Sequence, residues 1–107
     1  MNYMLLVYQD ETSPDRPSGC EGLADRLREQ GSYKAGGILQ PTATATSLRI
    51  RDGRRLLTDG PFAETREQLA GYLLIEADNL DEAIAIAAQH PCATNGTIEI
   101  RPIRSQP

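Results

Sequence analysis

Short blocks of apolar residues alternate along the chain with polar segments that carry glycine or proline. The first block, Tyr3–Gln9, is rich in strand formers and predicts a buried strand. Gly71–Ala77 and Thr97–Arg101 place apolar side chains at every second position, which is typical of strands with one face on a core. These three blocks therefore predict three strands of a sheet.

The middle of the chain carries a hairpin signal. Thr44–Arg51 alternates between apolar and polar positions, and Asp52-Gly53 is a strong two-residue turn before the return strand Arg54–Thr58. Gly36–Pro41, just upstream, indicates only a short extended piece. We therefore expect Thr44–Arg51 to be the fourth main strand of the sheet.

Two segments carry helix signals. Ser18 and Glu21 form a capping box, Leu23 and Leu27 share one helical face, and Gly31 is placed to end this first helix. In the second segment Asn79 and Glu82 form another capping box, and Pro91 stops the helix because proline cannot continue it. The second helix is predicted to bury Leu80, Ala83, Ile84, Ala87 and Ala88.

The element order is strand, helix, two hairpin strands, strand, helix, strand. This is the βαββαβ pattern of a ferredoxin-like α+β sandwich with an extra hairpin strand, in which both helices cover one face of an antiparallel sheet. The chain of 107 residues fits a single domain spanning residues 1–107.

Two helices leave the other sheet face open. Strand alternation places a mixed apolar and charged set of side chains on this face, a composition that suits a second subunit or a pocket with a few polar groups. We therefore predict a homodimer formed through the helix-free face. The predicted open-face residues are Tyr72, Leu74, Glu76, Thr97, Glu99 and Arg101.

The charge balance narrows the choice of partners. A net charge of −4 argues against nucleic acid, whose binding calls for a basic face. The apolar start lacks a basic flank and is too short to span a bilayer, so we expect a cytoplasmic protein with no membrane partner. Four arginines lie close together and fit either a solvated hairpin or a patch for an acidic partner: Arg49, Arg51, Arg54 and Arg55.

The cysteines and the histidine of the chain do not form a recognisable metal-binding motif. Cys20 and Cys92 belong to no Cys-x-x-Cys motif, and the chain has one histidine, so we expect free thiols, no metal and no cofactor. That histidine, His90, ends the second predicted helix, where the macrodipole favours its protonated form by about 0.3–1 kcal/mol. It is either a general acid or base, or a polar residue that satisfies the last helix carbonyls.

Two carboxylates are further candidates. In Asp59-Gly60-Pro61-Phe62, Asp59 is either a pocket carboxylate under a Phe62 lid or a turn residue bonded to backbone amides, with Phe62 packed in the core. Glu76 lies mid-strand among apolar residues. It is either paired, with Arg101 as the partner, or an acid/base group with a raised pKa.

We place the predicted site between the Asp59–Phe62 loop and the open sheet face, because binding groups gather on loops at sheet ends. Asp59 acts there as base or hydrogen-bond acceptor, with His90 as proton carrier. The predicted ligand-binding residues are Tyr8, Gln40, Phe62, Tyr72 and Glu76.

The run Leu56–Tyr72, which contains Asp-Gly-Pro-Phe, resembles the signature of the DGPF-domain proteins of the YCII-related family. Tyr3–Tyr8, Leu39–Thr46 and Asp78–Pro91 are similar to further segments of that family, so the resemblance covers nearly the whole chain. It implies a ferredoxin-like fold in a dimeric α/β-barrel-type assembly.

The resemblance leaves the function open between two classes. One is a small-molecule-binding or enzyme-like domain with metal-independent acid/base chemistry. Some YCII-related enzymes use a His/Asp pair with the histidine near the first helix, but Cys20–Gln30 contains no histidine, so that pair does not carry over. The alternative is a non-catalytic regulatory module associated with an extracytoplasmic-function sigma factor.

Overall fold

Six strands and three helices follow one another in the computed structural model, which describes residues 1–13 and 21–104. The strands are β1 (Asn2–Gln9), β2 (Tyr33–Ile38), β3 (Thr46–Arg51), β4 (Arg54–Asp59), β5 (Gln68–Glu76) and β6 (Thr97–Pro102). The helices are α1 (Glu21–Glu29), α2 (Leu80–Ala87) and α3 (Cys92–Asn95), and a 3-10 turn spans Thr42–Thr44. None of these helices is long and apolar enough to cross a membrane.

Four strands form one antiparallel sheet in the order β2-β5-β1-β6, while β3 and β4 form a two-stranded sheet of their own. Strands β1 and β5 each bury every second side chain on the same face of the sheet. Leu5 of β1, for example, lies opposite Leu73 of β5 on one side and Ile100 of β6 on the other. The fold is α+β, and this strand order is consistent with the predicted ferredoxin-like arrangement.

The assignment of the fourth sheet strand was wrong. Thr44–Arg51 was predicted to fill that place, but β2 pairs with β5, and β3 pairs with β4 alone. Gly36 and Gly37 explain why β2 is hard to recognise, because glycine is depleted in strands. An added Cβ would lie 2.9 Å from the side chain of Leu73 at Gly36, and 3.1 Å from the Tyr72 ring at Gly37.

The hairpin turn lies where the sequence predicts it. Arg51 pairs with Arg54, and the two residues between them have positive φ, 52° at Asp52 and 77° at Gly53. This is the conformation of a type I′ turn, whose twist matches that of the flanking strands.

The core lies between the four-stranded sheet and α1 and α2. Leu5, Leu27 and Ile75 are its largest fully buried side chains, and Leu23 and Ile86 extend it. Burying a side chain of this size contributes roughly 1.5–3 kcal/mol. The predicted core faces of β5 and α1 are therefore confirmed.

Helix α1 ends as predicted. Ser32 N–H donates to the Leu27 carbonyl at 2.9 Å and Gly31 N–H to that of Arg28 at 3.1 Å, the pair of bonds that defines a Schellman motif. At the other end, the predicted capping residue Ser18 lies outside the described residues. Asn79 caps α2, because its Oδ1 accepts from Glu82 N–H at 2.9 Å.

The predicted buried stripe of α2 needs correction. Leu80, Ile84 and Ala88 are exposed, and Ile86 takes their place in the core. An alanine-rich helix offers two overlapping stripes at helical spacing, and packing on the sheet selects between them. The buried stripe is Ala83, Ile86, Ala87 and His90.

Candidate functional site

A cleft of about 340 Å³ opens at the end of the sheet where β1 and β2 finish and β5 begins. Its walls come from three separate segments, which are the chain after β2, the loop after β4 and the first residues of β5. The lining residues are Leu39, Gln40, Pro41, Thr42, Thr44, Ala45, Pro61, Gln68 and Leu69.

The first wall is a tight turn. Leu39 N–H donates to the Ala70 carbonyl at 2.8 Å and so continues the pairing of β2 with β5 by one residue. Two i→i+3 bonds then form the 3-10 turn, from Thr44 N–H to the Pro41 carbonyl at 2.9 Å and from Ala45 N–H to that of Thr42 at 3.0 Å. This wall is therefore fixed by backbone hydrogen bonds.

The second wall is held by Gly60. Its N–H donates to the Ala45 carbonyl at 2.7 Å, and its own carbonyl accepts from the Ser47 hydroxyl at 2.9 Å. The φ of Gly60 is 105°, a region that residues with a Cβ rarely adopt. Pro61 follows with a restricted φ, so these two residues set the position of the loop against the turn.

Carboxylates next to the cleft are bonded to the turn and the loop. The carboxylate of Glu11 accepts from Thr42 N–H at 3.0 Å and from the Thr42 hydroxyl, which ties the segment after β1 to the cleft wall. Asp10 accepts from the hydroxyl and the N–H of Thr12 and lies 3.6 Å from Arg66 Nε. The hydrogen bonds from Thr12 lower the pKa of Asp10.

The lining side chains are neutral. Five of the nine lining residues are aliphatic or proline and the other four carry amides or hydroxyls. Gln68 Nε2 already donates to the Thr65 carbonyl at 2.7 Å, and the Thr44 hydroxyl donates to that of Pro41 at 2.7 Å. Within the described part of the chain, the Gln40 amide has no protein partner. The cleft therefore suits an uncharged apolar group with one or two hydrogen-bonding atoms.

Two predicted site elements meet at this cleft. Gln40 and Pro61 both line it, and Asp59 lies two residues before Pro61. Asp59 pairs with Thr46, the residue after Ala45, and is exposed. No bond from its carboxylate to a backbone amide is seen in the described residues.

Phe62 lies on the hairpin side of the loop. Its side chain is 75% exposed, and the Arg49 guanidinium lies 5.0 Å from its ring centroid. The interpretation of Phe62 as a core residue is therefore wrong. A cation–π contact of this exposed kind contributes about 0.5–1 kcal/mol.

Tyr8 and Tyr72 lie on the open sheet face. Tyr8 pairs with Leu69 of the cleft, and its hydroxyl donates to Glu99 Oε1 at 3.1 Å. Burial, followed by the Glu99 carboxylate, raises the pKa of Tyr8. Tyr72 is further along β5, where its ring lies against Gly37. Tyr8 is therefore the closer of the two to the cleft.

Glu76 lies at the other end of β5 from the cleft. Eight residues separate it from Gln68, which corresponds to about 26 Å of strand. The predicted pairing with Arg101 is wrong, because Glu76 Oε1 lies 3.4 Å from the Met1 amine and Arg101 lies 3.4 Å from Glu99. Strand β1 lies between the strands of Glu76 and Arg101, so Met1, which directly precedes β1, is nearer to Glu76 than Arg101 is.

His90 belongs to the helix layer. It is 5% exposed, and its Nδ1 accepts from Cys92 N–H at 3.0 Å, which satisfies the first amide of α3. Burial lowers the pKa of His90, so the expectation that the helix dipole favours its charged form is wrong. No hydrogen bond or ion pair joins His90 to Asp59 in the described residues.

The lowered pKa makes stability depend on pH. In the unfolded state His90 takes up a proton near pH 6.5, whereas in the folded state it does so only at lower pH. The contribution of His90 to the free energy of unfolding is therefore fully present above pH 6.5 and is lost as pH falls through the folded pKa. His90→Asn keeps an acceptor for an amide two residues on and removes the titration. Urea unfolding at pH 7.5, 6.5 and 5.5 should show a smaller loss in this variant. Equal losses in both proteins would contradict the assignment.

Most of the cleft was not predicted. Leu39 and Pro41 were assigned to the short extended piece Gly36–Pro41, Thr44 and Ala45 to the predicted strand Thr44–Arg51, and Thr42 to neither, so none of the five was predicted to bind a ligand. The available signal was the Pro-Thr-Ala-Thr run between two extended segments, which is typical of a tight turn. Nothing in the sequence marks Gln68 and Leu69 as cleft residues, because their place in the cleft depends on how β5 pairs with its neighbours.

Comparison with known proteins gives consistent results. Residues 1–106 match the model of the family described as the YCII-related domain. An uncharacterized protein of Rhizobium meliloti (strain 1021) is 37% identical over 114 aligned positions, which cover 96% of this chain and 92% of that protein.

Proposed function

The chain belongs to the YCII-related domain family, and on that premise we propose that it binds a small molecule in the cleft at the sheet end, as one subunit of a homodimer. The observation that carries the proposal is the cleft itself, where Gln40 and the loop that follows Asp59 come together. Its walls are held by hydrogen bonds of 2.7–3.0 Å, so the cleft is preorganised for a ligand.

The lining determines the class of ligand. Aliphatic side chains and prolines supply most of the wall, and Gln40 supplies an amide with a donor and an acceptor. The volume of about 340 Å³ is at the lower end of the range for ligand pockets. The ligand is a small molecule with an apolar body and a neutral polar group.

Asp59 is the group that would perform chemistry on such a ligand. It directly precedes Gly60, whose N–H bonds one cleft wall to the other, and as an exposed carboxylate beside the cleft it serves as a hydrogen-bond acceptor or a general base that needs no metal. His90 is left out of this role because its ring is buried beside Cys92.

Filling the cleft should weaken ligand binding. Ala45→Trp is expected to weaken the binding of benzamide and cyclohexanol at least tenfold, because the indole occupies the space that a ligand needs. Ala43→Trp places the same ring on an exposed, non-lining position of the same turn and serves as the control. Binding is measured by thermal shift and calorimetry, and equal affinities in the two variants would reject the site.

Asp59→Asn separates binding from chemistry. The substitution keeps the shape and removes the charge, so the affinity for benzamide, whose amide can donate to Asp59, should fall in calorimetry, while the affinity for benzene, which has no donor, stays unchanged. A lowered melting temperature with unchanged binding would instead assign Asp59 to the turn.

The homodimer is supported by the open sheet face. Tyr72 and Leu74 of β5 lie there half-buried, and so do three residues of the central strand β1. A surface with apolar residues at its centre and polar residues at its edge resembles a subunit interface. The residues from β1 are Met4, Leu6 and Tyr8.

The regulatory alternative, a module beside an extracytoplasmic-function sigma factor, requires a surface for another protein. One observation favours it, which is the exposed apolar face of the β3–β4 hairpin. Binding of the chain to a sigma factor in a pull-down with purified components, lost on changing that face, would support this alternative.

A further inference from the structure

The hairpin Thr46–Asp59, called the arm below, stands apart from the rest of the molecule. Its two strands pair only with each other, and none of its residues belongs to the core. The radius of gyration is 15.6 Å, compared with about 13 Å for a compact chain of this length. The arm therefore projects from the end of the sheet by about 20 Å, the length of six strand residues.

One face of the arm, called its apolar face below, carries uncovered apolar side chains, with Arg55 opposite Ile50 beside them. Leu48 and Leu57 lie opposite each other in the register and are 55% and 59% exposed, and Ile50 beside them is 60% exposed. A two-stranded hairpin with no further partner is marginally stable in water. Contiguous exposed apolar residues on such a ribbon mark a protein contact.

The charge of the arm indicates what it contacts. Its four arginines and two aspartates give a net charge of +2, whereas the rest of the chain carries −6. No ion pair joins an arm arginine to a carboxylate within the described ranges. Two arms packed together would bring like charges into contact, but an arm on the body of another copy would bring opposite charges together.

We infer that the arm packs on the body of a second copy of this chain and clamps the dimer. The inference rests on the homodimer proposed above. The arm leaves the body at Ala45 and Gly60, and Ala45 lines the cleft together with Leu69, whose partner Tyr8 lies on the open sheet face. The base of the arm and the open sheet face therefore both border the cleft. A ribbon about 20 Å by 10 Å covers less than the roughly 800 Å² that each partner buries in a stable interface, so the arm acts together with the sheet face.

The test changes the apolar face and keeps the hairpin. Leu48→Thr with Leu57→Thr retains strand-forming residues and removes the apolar surface, and Ile84→Gln changes a residue of similar exposure, 46%, on α2. Sedimentation equilibrium should show a dimer dissociation constant at least about a hundredfold higher for the arm variant, since both arms lose two leucines. The Ile84→Gln protein should match the wild type.

If the two leucine substitutions unfold the arm, a second variant and a second measurement still test the contact. Arg54→Gln with Arg55→Gln should weaken the dimer at 50 mM NaCl, and the difference should shrink at 1 M NaCl because salt screens the charges. Amide exchange of residues 46–59 in the wild type should slow as the protein concentration rises.

Three results on self-association and amide exchange would overturn the inference. They are a wild-type monomer, an arm variant whose dimer constant equals that of Ile84→Gln, or arm exchange that is independent of concentration. If the arm variant stays dimeric while a charge on the sheet face separates the subunits, the homodimer stands and only the arm contact is lost. Loss of binding to another protein with unchanged self-association would also reject it.

Discussion

The Gly96→Ala variant is expected to lose more than about 3 kcal/mol of unfolding free energy. Gly96 connects α3 to β6, and a Cβ at this position would lie 2.1 Å from the carbonyl oxygen of Tyr8 and 3.2 Å from its carbonyl carbon. Both atoms belong to the backbone of the central strand, so no side-chain rotation relieves the contact. Either β1 or the start of β6 has to move, and with it their pairing.

Two other glycines provide matched controls. Gly22 lies in the first turn of α1, and an added Cβ there meets only Arg26 Nη1 at 3.5 Å. Gly22→Ala should therefore stabilise the protein by up to about 1 kcal/mol. Gly53→Ala places a Cβ in open space but at φ 77°, and should cost about 1 kcal/mol.

Urea unfolding of the three variants separates these causes. The expected order of stability is Gly22→Ala, wild type, Gly53→Ala and Gly96→Ala. If Gly96→Ala unfolds within 1 kcal/mol of the wild type, the close approach of Gly96 to Tyr8 is not a feature of the folded protein.

The Leu6→Lys variant is expected to be a monomer at micromolar concentration. Leu6 is on the central strand of the open face and lies opposite Tyr72 on one side and Glu99 on the other. A two-fold interface would bring two such lysines to its centre, one from each subunit. Either both charges are buried or the interface opens, and either outcome raises the dimer dissociation constant at least about a hundredfold. The neighbouring Glu99 carboxylate compensates the new charge in the monomer, so the fold should survive.

Sedimentation velocity tests this expectation. The wild type should sediment with twice the chain mass of 11.7 kDa, and Leu6→Lys with the single-chain mass. Ile84→Lys, on the exposed side of α2, should remain a dimer. A dimeric Leu6→Lys, or a monomeric wild type, would remove the open face as the interface.

The elements that could be predicted are those whose residue types favour, by themselves, the conformation that they adopt in the fold. Strands β1, β5 and β6 contain branched and aromatic residues at alternate positions, and Asn79 and Gly31 have the side chains that helix ends require. Strand β2 is an exception, because its residue types do not favour a strand. Its glycines are poor strand formers in isolation and are needed only because the Tyr72 ring and Leu73 pack against them.

The site was less predictable because it depends on contacts between distant segments. Gln40 and Asp59 were predicted as site residues, but the cleft that Gln40 lines exists because β2 brings Leu39 to Ala70. His90 shows the opposite case. A single histidine at a helix end suggests chemistry, yet the spacing from Ala83 to His90 continues the buried stripe of α2.

The most direct test of the proposed binding site is an amide map of ligand contact. Titration of the ¹⁵N-labelled protein with benzamide should give saturable shifts at the non-proline residues that line the cleft, which are Leu39, Gln40, Thr42, Thr44, Ala45, Gln68 and Leu69. The same titration of Ala45→Trp should leave these amides unmoved. Saturable shifts confined to the open sheet face or to the surroundings of His90, with none in the cleft, would contradict the account.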